Sequence, residues 1–208
     1  MRKQGFTLVE MLVVMGIIAV LIGSLIAGFS RMTKTAQKAK AQETVSNAAT
    51  ALAAILTNEG RWPNSIRNNT RMNAQVAKAL ARRGLMSITY NPNKKVEGGG
   101  STDYTPQGVD KYGILDPWGA TVLKRNPNGG AGQSVPSGGT VSDHVLYFAV
   151  DKDGDGVVTM AEGAPVDVRA TAIVWCAGAD GKLGAYGTHS KEGSDDIYSW
   201  QRGQEQKK

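Results

Sequence analysis

Residues 6–29 read FTLVEMLVVMGIIAVLIGSLIAGF, and the only charge among these twenty-four is Glu10. At about 1.5 Å rise per residue, a helix of that length spans the roughly 30 Å hydrocarbon core of a bilayer. Arg2 and Lys3 stand before the run, and Arg31, Lys34, Lys38 and Lys40 stand after it. An ordinary secretory signal has a shorter apolar region, with a small-x-small cleavage site beyond it. Here the sharp small-residue break, Gly5–Phe6, lies before the apolar run. Cutting there removes a basic leader, residues 1–5, and leaves an apolar helix over 6–30 as the new N-terminus.

Glu10 needs a physical account of its own. A carboxylate in a membrane helix costs roughly 2.5–3.5 kcal/mol at the helix centre and less near the interface. After a cut at Gly5 the nearest cation is the new α-amino group of Phe6, in the same chain or in a neighbour. The rest of the composition narrows the class further. Of 208 residues, 41% are hydrophobic and 20% charged, which fits neither a disordered tail nor a multi-span membrane protein. The 26 glycines follow no three-residue period, so they mark loops and not collagen. One cysteine, Cys176, excludes an intrachain disulfide and a cysteine zinc site. Two histidines, His144 and His189, are too few and too far apart in sequence to suggest a histidine metal centre or a catalytic triad. The net charge of +6 is scattered, so nucleic acid is not an expected partner.

Residues 31–59 continue the helix by pattern. Val45, Ala48, Leu52, Ile55 and Leu56 recur at helical spacing, and Gly60 and Pro63 end it. The membrane and amphipathic parts together make about 54 residues, or roughly 80 Å of helix. Residues 60–208 read as a small, mostly antiparallel β head, so the fold class is α+β. The pattern predicts a short helix over Asn73–Arg83 and strands over Ala120–Lys124, His144–Val150 and Val166–Cys176. Gly/Asn/Ser/Pro-rich stretches at 91–108 and 126–140 read as exposed loops, and the tail 201–208 as frayed.

The strongest ligand motif runs over 151–162, DKDGDGVVTMAE. It fits the twelve-residue calcium loop at each demanding position. Asp151, Asp153 and Asp155 supply carboxylates, and Gly156 takes the sharp turn. Val157 offers its carbonyl, Thr159 sits at the ninth position, and Glu162 can close the shell bidentately. The flanks are β-like or contain Gly and Pro, so a structural Ca²⁺ site is expected and a groove-opening sensor is not.

The segment Arg2-Lys3-Gln4-Gly5-Phe6-Thr7-Leu8-Val9-Glu10 closely resembles the N-terminus of type IV pilins and type II secretion pseudopilins. The resemblance implies that a membrane prepilin peptidase cuts after Gly5 and methylates the amine of Phe6. It also implies that Glu10 pairs with that amine to set register as a subunit enters a filament. Three fragments of the head resemble the major pseudopilin of type II secretion: Gly60-Arg61-Trp62-Pro63, Asp116-Pro117-Trp118-Gly119, and Ala177-Gly178-Ala179-Asp180-Gly181 followed by Asp196-Ile197 and Trp200. In that family the C-terminal loop, here 178–200, holds Ca²⁺, which carries over to Asp180 and Asp196; Asp195, adjacent, could substitute. Two features depart from the pattern. Ala27 stands where pilin-class helices carry a proline, and Lys182–Ser194 is longer and more basic than the family loop.

The function implied is structural. A single-pass inner-membrane subunit, its head in the periplasm, would assemble with itself into a helical filament. Its partners would be the prepilin peptidase, an inner-membrane secretion platform, other pseudopilins and the membrane. The alternative is a subunit of a type IV pilus for adhesion, motility or DNA uptake. No nucleophile elbow, Walker A or dinucleotide fingerprint is present, so no enzyme is expected. Asp116–Gly119 reads as a turn, Trp118 as a packing residue and Cys176 as a small buried hydrophobe.

Overall fold

The computed structural model describes residues 8–85, 109–110, 113–125, 132–184 and 195–200. Gly5, Phe6, the predicted loop 91–108, the first part of 126–140 and the tail 201–208 lie outside the described residues. The chain divides into two compact units, Met1–Ala39 and Lys40–Lys208. Helix α1, Leu8–Glu59, is 52 residues long and runs through both.

In the first unit α1 is helical from Leu8 without interruption, as its Leu, Val, Ile and Ala content allows once packing or lipid covers the side chains. The large apolar side chains from Leu8 to Ile22 are 48–81% exposed. Glu10 lies in the first turn, where a negative charge complements the helix dipole. Among the described residues, no helix is long and apolar enough to cross a membrane. The side chains at 24–30, the end of the predicted span, and that of Arg31 lie outside the description.

In the second unit the same helix presents a buried stripe of Ala41, Val45, Ala48, Leu52 and Ile55, each fully buried. Their i, i+4, i+7 spacing places them on one face. The helix stops where the sequence predicts. Gly60 takes φ +66, and its N–H bonds back to the Leu56 carbonyl at 2.8 Å. Helix α2, Asn64–Arg67, follows the Pro63 cap. Helix α3, Ala74–Arg82, begins where the Asn73 side chain accepts from the N–H groups of Gln75 and Val76, both at 3.1 Å.

Strands β1, Val109–Asp110, and β2, Gly113–Ile114, pair antiparallel. The main sheet is antiparallel in the order β3–β4–β5, from Tyr147–Val150, Ala172–Cys176 and Ile197–Tyr198. Its register places Tyr147 opposite Trp175 and Cys176 opposite Ile197. Alternation sends Phe148, Val150, Val174 and Cys176 into the core that contains the α1 stripe. Ala149, Ile173 and Trp175 face a second cluster completed by Val158, Ala164, Val168 and Trp200. Thus the 151–170 segment covers one face of the sheet while α1 covers the other.

Three strand predictions change. Residues Ala120–Lys124 are helical, within α4, Pro117–Arg125. Asp116 Oδ1 accepts from the N–H groups of Trp118 (3.1 Å) and Gly119 (3.0 Å), and Pro117 opens the first turn. An Asp cap followed by Pro is a helix start, and it outweighs the β-preference of Thr121 and Val122. Residues Val141–His144 form a 3₁₀ turn, so β3 begins only at Tyr147. Asp143 Oδ2 holds that turn by accepting from the Thr140 N–H (2.8 Å) and hydroxyl (2.7 Å). Finally, Val168 pairs with Val158 in an isolated bridge, and β4 starts at Ala172.

Candidate metal centres and the buried Asp116–His144 pair

The 151–162 loop leaves β3 at Asp151, which is 4% exposed. Both oxygens of Asp151 are held by its own loop: Oδ1 accepts from the Gly154 N–H at 2.6 Å and Oδ2 from the Gly156 N–H at 2.8 Å. Gly156, at φ +83, adopts the left-handed backbone that the sixth position requires. Asp153 Oδ1 accepts from the Asp155 N–H at 3.3 Å, and Asp155 Oδ1 from the Val157 N–H at 2.7 Å. One carboxylate oxygen from each of Asp151, Asp153 and Asp155 lies within 4.8 Å of the others. The N–H from Asp155 favours the charged form of Asp153. Partial desolvation, the neighbouring Asp155 and Asp151 carboxyls and the more distant charge of Glu162 outweigh it and raise its pKa. Oxygen ligands crowded in this way suit a hard cation.

Glu162 stands apart from that trio. Its Oε1 accepts from the Lys152 N–H, and its Oε2 from the Thr159 N–H (2.8 Å) and hydroxyl (3.1 Å). It therefore closes the loop on itself, capping the 3₁₀ turn Met160–Glu162. Val157 is half-buried, and Thr159 spends its hydroxyl on Glu162. The indole N–H of Trp62 donates to the Asp151 carbonyl, tying the loop to the chain just after α1.

In the C-terminal loop, residues 185–194 lie outside the description, but the acids at both ends are placed. Asp195 Oδ2 accepts from the N–H groups of Ala179 (2.6 Å) and Asp180 (3.1 Å). Asp196 Oδ2 accepts from the Gly184 N–H and the Tyr198 hydroxyl, each at 3.1 Å. Asp180 Oδ1 accepts from the Lys182 N–H at 2.8 Å. The remaining oxygens, Asp195 Oδ1 and Asp196 Oδ1, are buried without a hydrogen-bond partner among the described residues. Burial pushes Asp196 up to about 6. Bonds from Gly184 and Tyr198 oppose the rise, and the Asp195 and Asp180 charges add to it. Two orphaned carboxylate oxygens are costly unless a cation meets them, so the donor set fits Ca²⁺. The three acids are not gathered as closely as the trio at 151–155.

His144, set aside in the sequence, is fully buried, and its Nδ1 lies 2.8 Å from Asp116 Oδ2. Its Nε2 lies 2.9 Å from the Gly138 carbonyl. A carbonyl only accepts, so Nε2 carries a hydrogen. Burial disfavours the charged imidazole, but the bond and charge of Asp116 prevail and raise its pKa. Burial likewise raises Asp116 against the pull of His144, Gly119 and Trp118. Both directions express one property: the pair retains the proton between Nδ1 and Oδ2. Nothing in composition or spacing announced this pair. The one available signal was an Asp before Pro, a helix cap with a second oxygen to spare. Burial pushes the Cys176 thiol up to about 12, so it is inert as a nucleophile or ligand at neutral pH.

Gly5 and Phe6 precede the described residues, and Glu10 is exposed on α1. Comparison with known families decides what that end of the chain is. Residues 1–26 match the prokaryotic N-terminal methylation motif. The chain thus carries a prokaryotic N-terminal methylation motif, as prepilin-type precursors do, ahead of an α+β head. The match covers the N-terminal segment and does not extend into the head. Comparison with curated proteins gives no match, and comparison with solved structures gives none.

Proposed function

We propose that this protein is a structural subunit of a type II secretion pseudopilus, made as a prepilin and assembled through its N-terminal helix. The methylation motif over 1–26 supports the prepilin part of this reading. Prepilin peptidase would cut after Gly5 and methylate Phe6. The apolar surface from Leu8 to Ile22 would then lie first in the inner membrane, with the head in the periplasm, and later against other copies. Glu10 would pair with the amine of an incoming neighbour. The secretion platform and other pseudopilins would be the remaining partners. The resemblance of Asp116–Gly119 and Ala177–Gly181 to pseudopilin motifs favours secretion over a surface pilus.

Calcium belongs to the same reading. Asp151, Asp153 and Asp155 would hold one ion, with Val157, Thr159 and Glu162 completing the loop. Asp180 and Asp196, with Asp195 beside them, would hold a second. Each ion would neutralise crowded carboxylates and stabilise the head; no chemistry on a substrate is assigned. Cells lacking the protein test the choice of system. Retention of exported folded proteins in the periplasm, with motility and DNA uptake intact, supports the pseudopilus. Normal export with lost adhesion, motility or DNA uptake supports the pilus instead.

A further inference from the structure

The Asp116–His144 pair extends beyond the imidazole. Gly138, whose carbonyl accepts from Nε2, sits at the tip of a hairpin closed by the Ser134–Thr140 bridge. The Val135 N–H reaches the Gly139 carbonyl at 3.1 Å, and the Gly138 N–H reaches the Val135 carbonyl at 3.0 Å. This tip lies flush on the turn that presents Asp180. A Cβ added to Gly138 would sit 2.6 Å from the Asp180 carbonyl oxygen and 2.8 Å from its Cα. A Cβ on Gly181 would sit 3.1 Å from His144 Nε2. The same turn touches the other half of the site, because a Cβ on Gly178 would sit 2.3 Å from the Asp195 carbonyl oxygen. The Asp180 turn is therefore packed against the hairpin tip and His144 as well as against Asp195, with no room for a Cβ at Gly138 or Gly178 and little at Gly181.

We infer that His144 is a positioning residue for the C-terminal cation site, setting where Asp180 stands relative to the orphaned oxygens of Asp195 and Asp196. Asp116 orients the imidazole, the imidazole holds the Gly138 carbonyl, and the hairpin tip fixes the Asp180–Gly181 turn. This inference rests on the second Ca²⁺ site proposed above. The 151–162 loop has no part in the relay, which makes it an internal control.

Calorimetric titration of the full-length protein in detergent with CaCl₂ provides the test. Asp196→Asn and Asp153→Asn identify the C-terminal and 151–162 sites. Outer partners of metal sites typically change affinity by 10–100-fold, so His144→Gln should weaken the C-terminal site by about tenfold or more and leave the other unchanged. Asp116→Asn, which can still bond Nδ1 and cap α4, should retain most of the affinity. Gly138→Ala pushes the tip off Asp180 while keeping both residues of the buried pair, and it should reproduce the selective loss even if His144→Gln does not fold. Wild-type affinity at the C-terminal site in His144→Gln or Gly138→Ala overturns the positioning role while the site stands. Equal weakening of both sites, alongside a lower melting temperature, also overturns it, because the role is then general stability. If Asp196→Asn leaves wild-type calcium binding unchanged, the second site itself is absent and the inference falls with it.

Discussion

Asp116 shows how much one side chain can organise. One oxygen caps α4 and the other holds His144, so a residue that resembles part of a turn motif joins a helix start to a 3₁₀ turn. The raised pKa of His144 has a definite sign in stability. Its contribution is fully present below the unfolded imidazole value of 6.5 and is lost as pH rises through the higher folded value. The melting-temperature difference between wild type and His144→Gln should therefore be larger at pH 6 than at pH 9. A constant difference across that range would show that the pair contributes only shape. Cys176 gives a second test at this scale. With its pKa near 12 and no exposed surface, it should resist alkylation in the native protein and react once the protein is denatured. Rapid native labelling would show that β4 opens readily.

At the scale of elements, the sequence is informative where the pattern is long or the chemistry local. The stripe from Val45 to Ile55 repeats over several turns, and its end at Gly60 is a local backbone event; both are observed. The acidic clustering at 151–155 is legible because residue spacing is itself a sequence property. The gathering of Asp151, Asp153 and Asp155 agrees with it, whereas the capping role of Glu162 depends on a short turn that spacing does not reveal. The β-branched residues of Ala120–Lys124 favour a strand, but the Asp116–Pro117 helix start governs them. His144 was invisible because its partners, Asp116 and Gly138, are brought to it only by the fold. Leu52 is fully buried in the α1 stripe, so Leu52→Ala should cost about 2–5 kcal/mol, measurable by denaturant melts. A loss under about 1 kcal/mol would mean that α1 does not pack on the head as described. The acidic trio predicts a higher melting temperature in Ca²⁺ than in chelator, by a free energy of about 2.7 kcal/mol at a hundredfold excess over Kd. Asp153→Ala should remove part of that gain, and its full persistence would assign the effect to another site.

For the whole molecule, the main fact is the contrast between one half of α1, which buries an apolar stripe, and another half whose large apolar residues are exposed. In the proposed filament, lipid or other copies would cover the apolar surface at Leu8–Ile22. Glu10 within it suggests how copies find register. A charge left unpaired in a low-dielectric contact costs several kcal/mol. Glu10→Ala should therefore leave membrane association intact while cross-linked oligomers in native membranes diminish, and undiminished oligomers would remove Glu10 from the assembly contact. Pairing of Glu10 with a neighbour's α-amino group requires a mature chain that begins at Phe6. Intact-mass and N-terminal peptide analysis of the protein from bacterial membranes measures that start directly. The account predicts a chain that lacks residues 1–5 and begins at N-methylated Phe6; a mature chain that begins at Met1, or is cut beyond Phe29, would contradict it.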